Sequence, residues 1–188
     1  MLVKTLLTIG ISVLAFLNAI PLTQAEIEEA KLQVDGLACP FCAYGLEKKL
    51  KKVPGTSAYE IDLKKGEAFV RFEKKASLDF AVFENAVREA GFTLRGIAIK
   101  ATGKIVDLEE GLAFEVAGSG QRFLLFEDNQ LHERYHAGEK IKPLSEKPEK
   151  ELSAFKEKGI TLRIEGTIHP HEGLASGLLI KRYEEVKA

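Results

Sequence analysis

The chain has 188 residues and a composition typical of a folded globular protein, with 45% hydrophobic and 29% charged residues. Its 27 basic and 28 acidic residues leave a formal net charge of -1, which argues against nucleic acid as a partner because such partners require an excess of positive charge. The single methionine is Met1, so a mature protein lacks thioether ligands. The side chains that could bind a metal are then the thiolates, imidazoles and carboxylates.

The first 25 residues have the pattern of a secretory signal peptide. Lys4 precedes an apolar run from Leu6 to Leu17, and small residues precede a cleavage point after Ala25. The apolar run is shorter than the ~20 residues that a membrane-spanning helix needs. No later stretch is apolar enough to cross a membrane. We therefore expect an exported protein in the periplasm or another extracytoplasmic compartment, with no transmembrane span in its mature chain.

Residues 26–100 are predicted to form a first domain of alternating strands and helices. Apolar and polar residues alternate as in strands over 30–35, 59–63, 68–72 and 92–99, whereas helical spacing occurs over 42–53 and 80–90. The order is βαββαβ, with a hairpin between the second and third strands. This pattern predicts an α+β fold of the ferredoxin-like type, with two helices packed on one face of an antiparallel sheet.

Both cysteines of the chain lie in one short segment, Gly-Leu-Ala-Cys-Pro-Phe-Cys, which runs from Gly36 to Cys42 between the first strand and the first helix. A disulfide between Cys39 and Cys42 would close a very small loop and would constrain the unfolded chain little, so a purely structural bridge is not favoured. The helix N-terminus lowers the pKa of nearby thiols, and Pro40 suits the first helical position. Two thiolates suit near-linear Cu(I) or Hg(II), whereas Zn(II) would need two further ligands.

The same residues resemble the heavy-metal-associated domain, the fold of copper chaperones and of the periplasmic mercury-binding protein. The family motif Gly-Met-x-Cys-x-x-Cys aligns with residues 36–42, with Leu37 in place of the methionine that packs beneath the loop. Further matches are Val-Pro-Gly at 53–55 and Ala-Gly-Phe at 90–92. The resemblance implies that Cys39 and Cys42 are the metal ligands. It implies that Gly36, Leu37 and Phe92 support their loop, and that a metal transporter or a metalloprotein receives the ion.

Two other interpretations of the cysteine pair stay open. Cys-Pro-Phe-Cys is also similar to the active site of thioredoxin-like oxidoreductases, which would make the protein a periplasmic dithiol-disulfide redox protein. The order of elements after the motif does not match the larger thioredoxin sheet, and the chain has no tryptophan. Alternatively, the protein is a non-catalytic adaptor that acts through its second domain.

Residues 101–188 are predicted to form a second, β-rich domain. Strands are expected within 103–116, 122–126, 131–135, 160–164 and 178–180, and residues 143–158 fit either a helix or a flexible linker. An Asp-Asn turn at 128–129 would join the second and third of these strands. Five strands with a helix between the third and fourth resemble a small β-barrel of the OB type, in pattern alone.

All four histidines lie in this second domain, and they form two closely spaced pairs: His132 with His136, and His169 with His171. On a strand, residues four apart face the same side, so the first pair is expected to point together. The spacing of the second pair also occurs in metal sites. A second, imidazole-rich metal site at these four residues is the resulting hypothesis, and scattered surface histidines are the alternative.

No catalytic constellation is recognisable in the sequence. The chain lacks a nucleophile-elbow serine, a phosphate-binding glycine loop and a His-Glu-x-x-His helix. The sequence therefore predicts that the protein is not an enzyme. The favoured interpretation is an exported metallochaperone or scavenger that binds a soft ion through its thiol pair.

Overall fold

The computed structural model describes residues 27–73, 79–139, 142–169 and 176–187. The predicted signal peptide at residues 1–25 and His171 lie outside the described residues. The first part of the chain contains β1 (Ile27–Asp35), α1 (Pro40–Leu50), β2 (Thr56–Asp62), β3 (Glu67–Phe72), α2 (Phe80–Glu89) and β4 (Thr93–Leu108). These six elements confirm the predicted βαββαβ order.

The strands of this first part pair in the order β2-β3-β1-β4, and all three pairings are antiparallel. One face of the sheet is closed by the two helices, which also contact each other. The fully buried side chains between the helices and the sheet include Leu32 of β1, Leu46 and Leu50 of α1, and Phe83 and Val87 of α2. The helices are amphipathic at the spacing that the sequence shows, so the predicted ferredoxin-like arrangement is confirmed for this part of the chain.

The second part contains β5 (Gly111–Val116), β6 (Arg122–Phe126), α3 (Asn129–His136), α4 (Glu146–Glu157), β7 (Leu162–His169) and β8 (Gly177–Glu185). With β4, these strands pair in the order β4-β5-β6-β8-β7. A further pairing between β7 and β4 closes them into a five-stranded barrel. The pairing of β6 with β8 is parallel, and the other four are antiparallel.

The strand predicted at 131–135 is wrong, because residues 129–136 form helix α3. The Asp128 carboxylate accepts a hydrogen bond from the backbone N–H of Leu131 at 2.8 Å, which caps the first turn of the helix. Aspartate favours this N-cap position as strongly as it favours turns, so the Asp-Asn pair starts a helix instead of reversing a strand. At 143–158, where a helix and a linker were both compatible with the sequence, the structure has helix α4.

A single 16-residue strand, β4, belongs to both parts of the fold. Its first half pairs with β1 as far as Ala101, and its second half pairs with β5 from Gly103 onward. On its other side, residues 97–103 pair with β7. The domain boundary that we predict between residues 100 and 101 therefore falls inside a continuous strand.

A polar contact also links β1, β4 and β7. The Glu28 carboxylate accepts hydrogen bonds from the Thr102 hydroxyl and from Nε of Arg163, both at 2.9 Å. Thr102 is buried, whereas Glu28 and Arg163 are half-buried, and the hydrogen bond to the Glu28 carboxylate keeps the pKa of Arg163 above its usual value. The ferredoxin-like part and the barrel thus share side-chain contacts as well as a backbone strand.

Candidate functional site

The thiol pair lies where β1 ends and α1 begins. Cys39 is the N-cap residue of α1, with an extended backbone, and Pro40 occupies the first turn. Cys42 lies one turn further, and the backbone N–H of Ala43 donates to the carbonyl oxygen of Cys39 at 3.0 Å. Both thiols are free, Cys39 being partly exposed and Cys42 exposed. The predicted position at a helix N-terminus is therefore present.

Gly36, Leu37 and Phe92 lie at the loop before the cysteines. Gly36 has a φ of +83°, a conformation that side-chain-bearing residues rarely adopt. A Cβ atom at Gly36 would lie 3.5 Å from the ring of Phe92, so this ring packs close to the backbone of the turn. The side chain of Leu37 is buried, which is the place expected for the residue that stands at the family's methionine position.

The two thiols have different acidities. The Cys39 pKa is lowered mainly by a hydrogen bond from the Cys42 side chain, and backbone N–H groups of Cys42 and Phe41 add to the effect. The same side-chain hydrogen bond raises the pKa of Cys42, with partial burial and the Cys39 charge acting in the same direction. Cys39 is therefore the thiol that ionises first and the one prepared to bind a cation.

This difference predicts the order of alkylation in the metal-free, reduced protein. Exposure alone would favour Cys42, whereas thiolate content favours Cys39. Near neutral pH we expect iodoacetamide to label Cys39 several-fold faster, and its rate to fall only when the pH drops below its lowered pKa. Peptide mass spectrometry after short labelling times measures both rates. Equal rates, or faster labelling of Cys42, would contradict this assignment.

Two large apolar side chains beside the thiols are exposed. Phe41, between the cysteines, is 90% exposed, and Tyr44 is 59% exposed. The ammonium group of Lys48 lies 4.3 Å from the centroid of the Tyr44 ring. The sequence analysis did not predict this exposed surface. The signal that could have found it is the helical spacing of residues 41, 44 and 48, which places them on one stripe, separate from the buried stripe of α1.

Three of the four histidines lie together on the outside of the barrel. The rings of His132 and His136, on α3, have centroids 4.6 Å apart, and those of His132 and His169 are 4.3 Å apart. His132 is buried, and the ring of Phe126 lies edge-on to it at 5.0 Å. Burial lowers the pKa of His169, and the neighbouring His136 lowers it further, although Glu133 opposes the shift. His132 and His136 lie together through their spacing on a helix, and the strand from which the sequence analysis argued is absent at these residues.

Among the described residues, no group of three or more histidine, cysteine or acidic side chains is arranged as a ready metal site. The thiol pair by itself offers two ligands, which is the number that near-linear Cu(I) requires. Nor does any helix in the described part of the chain have the length and apolar character to span a membrane.

The ferredoxin-like fold with a paired thiol at the start of its first helix defines a class of small metal-binding domains. Residues 31–93 match the family model of the heavy-metal-associated domain, which confirms the predicted family for this part of the chain. The match begins within β1 and ends at the first residue of β4, so it covers most of the ferredoxin-like part and none of strands β5 to β8.

Two curated relatives are bacterial copper transporters. Copper-transporting ATPase 1 of Rhizobium meliloti (strain 1021) is 34% identical over 77 residues, which are 41% of this chain and 9% of that protein. Copper-transporting ATPase 2 of the same organism is 36% identical over 70 residues, which are 37% of this chain and 8% of that protein. The chain thus spans about a tenth of the length of the curated relatives that it matches.

Two solved structures are similar over about a third of the chain. The CopZ metallochaperone has 20% sequence identity, a TM-score of 0.33 and coverage of 35% of this chain and 97% of its own. The N-terminal domain of PacS from Synechocystis PCC6803 has 26% identity, a TM-score of 0.32 and coverage of 36% and 94%.

Proposed function

We propose that this protein binds Cu(I) through the thiolates of Cys39 and Cys42 and passes it to a copper transporter or another metalloprotein. The observation that carries the proposal is the match of residues 31–93 to the heavy-metal-associated domain, with both thiols at the helix N-terminus inside the matched segment. Copper is favoured as the cargo because the curated relatives are copper-transporting ATPases. Hg(II) would suit the same two thiolates, whereas Zn(II) would need ligands from a partner.

The chemistry requires no catalytic group. Cys39, with its lowered pKa, offers the first thiolate, and Cys42 completes a two-coordinate site after losing its proton. Both thiols are accessible, so an incoming thiolate of a partner can bind before either bond is broken. Exchange of one ligand at a time keeps the barrier low while the overall affinity stays high.

The receiving partner is proposed to contact the exposed surface beside the thiols. Phe41 and Tyr44 provide apolar area there, and Lys48 provides a positive charge. Aromatic side chains of this kind are enriched at protein interfaces, where burial of their rings supplies most of the binding energy. The same surface must approach the partner for its thiolates to reach the metal.

We further propose an extracytoplasmic location, supported by the signal-peptide pattern of residues 1–25. For the barrel we propose an OB-like identity. Its support is the strand order β4-β5-β6-β8-β7, closure of β7 on β4, and the helices between the third and fourth strands.

The decisive experiment is a Cu(I) titration of the reduced protein under anaerobic conditions, followed by native mass spectrometry. We expect one bound Cu(I) per chain in the wild type. In the double variant Cys39→Ser, Cys42→Ser we expect no bound Cu(I), even when a competing chelator is present only at low concentration. The loaded protein is then mixed with the segment of Rhizobium meliloti Copper-transporting ATPase 1 that it matches, and the copper should redistribute between the two.

The rival interpretations give different results in the same samples. A redox protein would show reversible exchange between dithiol and disulfide without metal and would hold no Cu(I) against a chelator. An adaptor that acts through the barrel would keep its partner when both cysteines are replaced. Failure of the wild type to bind Cu(I) would refute the proposed function.

A further inference from the structure

We propose that His132, His136 and His169 form a second metal site, between helix α3 and strand β7, which binds a divalent first-row ion such as Zn(II) or Cu(II). This site is separate from the thiol pair in both position and chemistry. It does not depend on the proposed role of Cys39 and Cys42, because its ligands belong to the barrel.

The chain brings the three imidazoles together from two elements. His132 and His136 are four residues apart on α3, a spacing that places both rings on one helix face. Paired histidines at this spacing are the ones that helical zinc motifs use. His169 is the last residue of β7, and its partner across the strand pairing is Gly177 of β8.

The spacing of the rings is close to what one shared ion requires. With Zn–N bonds of about 2.0 Å and tetrahedral angles, two imidazole ligands have ring centroids about 5 Å apart. The observed separations are 4.6 Å for His132 and His136 and 4.3 Å for His132 and His169. The central ring, His132, contacts both others, and among the described residues the three side chains are not arranged as a ready metal site. Rotation of the exposed His136 ring is the change that binding requires.

The surroundings restrict which ion is suitable. Imidazole nitrogens favour Zn(II), Cu(II) and Ni(II) over the soft Cu(I) that thiolates select. His132 is only 8% exposed, and Phe126 packs against its ring, so one ligand is held in an apolar setting that fixes its orientation. Three protein ligands leave the fourth position of a tetrahedral ion open for water or for a group of a partner. The bound ion would therefore be accessible from outside the protein.

The test uses untagged protein that carries Cys39→Ser and Cys42→Ser, so that thiolates cannot contribute. Zn(II) and Cu(II) are titrated separately by calorimetry, and Co(II) is used as a spectroscopic substitute that reports tetrahedral geometry. We expect one ion per chain. We also expect His136→Ala and His169→Ala each to weaken binding more than tenfold, as loss of a direct ligand should exceed the ~10-fold effect of losing an outer-shell group.

Gln130→Ala is the matched control, since it truncates an exposed, uncharged side chain of the same helix and leaves the imidazoles and the nearby Glu133 carboxylate in place. It should bind the ion as the parent does. Circular dichroism checks that each variant keeps its fold, and His136→Ala is the more informative variant because the residue is exposed. If neither ion binds, if both histidine variants bind unchanged, or if Gln130→Ala loses the ion equally, the site does not exist. None of these outcomes bears on Cu(I) binding by the thiols.

Discussion

Replacing Gly103 by alanine is expected to lower the free energy of unfolding by about 3 kcal/mol, the upper part of the range for overpacking a filled core. A Cβ atom at this position would lie 2.2 Å from the carbonyl oxygen of Glu115 and 2.8 Å from Cζ of Phe114. The first of these neighbours is backbone of the paired strand β5, so it cannot move aside as the end of a flexible side chain can. Urea denaturation followed by circular dichroism measures the change.

Gly96→Ala is the matched control, because Gly96 lies in the same strand and a Cβ atom there would meet nothing within 4 Å. This variant should be neutral or more stable by up to about 1 kcal/mol, since alanine restricts the unfolded chain more than glycine does. The two substitutions are chemically identical, so a difference of sign would come from the packing of β4 against β5. Equal effects would show that β4 does not approach β5 as closely as the structure has it.

The same experiment reports on how the two parts of the fold are coupled. Gly103 lies just beyond the residues of β4 that pair with β1, and residues 97–101 pair with β1 on one side and with β7 on the other. Loss of the barrel would leave β4 without β5 and β7, and β4 is the neighbour of β1 in the sheet that carries the thiol loop. We therefore expect Gly103→Ala to unfold the protein in one transition at lower urea concentration.

The ferredoxin-like part was predictable because its signals are local. Alternation in the strands, the helical spacing after Cys42 and the glycine turns each occur within a few residues, and all agree with one fold. The position of the thiol loop was predictable for the same reason, since the Gly36 turn, the cysteine pair and Pro40 are adjacent in sequence. The contact of Phe92 with Gly36 joins distant positions, and only the family resemblance indicated it.

The barrel was less predictable because its organisation depends on distant partners. The glycines at 96 and 103 do not end β4, so local pattern cannot say that the strand changes partner from β1 to β5 near Gly103. At α3, the Asp-Asn pair at 128–129 suits a hairpin turn or a helix start equally. The helix is selected by packing over Phe126, whose ring contacts both His132 and Tyr135. That packing also brings His169 to the α3 histidines, which sequence spacing could not show.

Replacing Cys39 alone by serine is expected to reduce Cu(I) affinity more than 100-fold. Loss of an outer-shell partner of a metal ligand already costs ~10–100-fold in affinity, and Cys39 is proposed as a direct ligand. Serine is close to cysteine in size and is favoured at the N-cap position, but it offers a hard oxygen in place of a soft thiolate. Competition with a chromophoric Cu(I) chelator under anaerobic conditions measures the affinity.

Phe41→Ser is the matched control for this loss. Phe41 lies between the two cysteines and is 90% exposed, so its replacement changes the loop surface without removing a ligand or a core contact. We expect its Cu(I) affinity to stay within a few-fold of wild type, while transfer to a protein acceptor slows because apolar contact area is lost. An affinity loss in Phe41→Ser equal to that in Cys39→Ser would mean that loop conformation, and not thiolate ligation, determines binding. Unchanged affinity in Cys39→Ser would remove the thiol pair as the copper site.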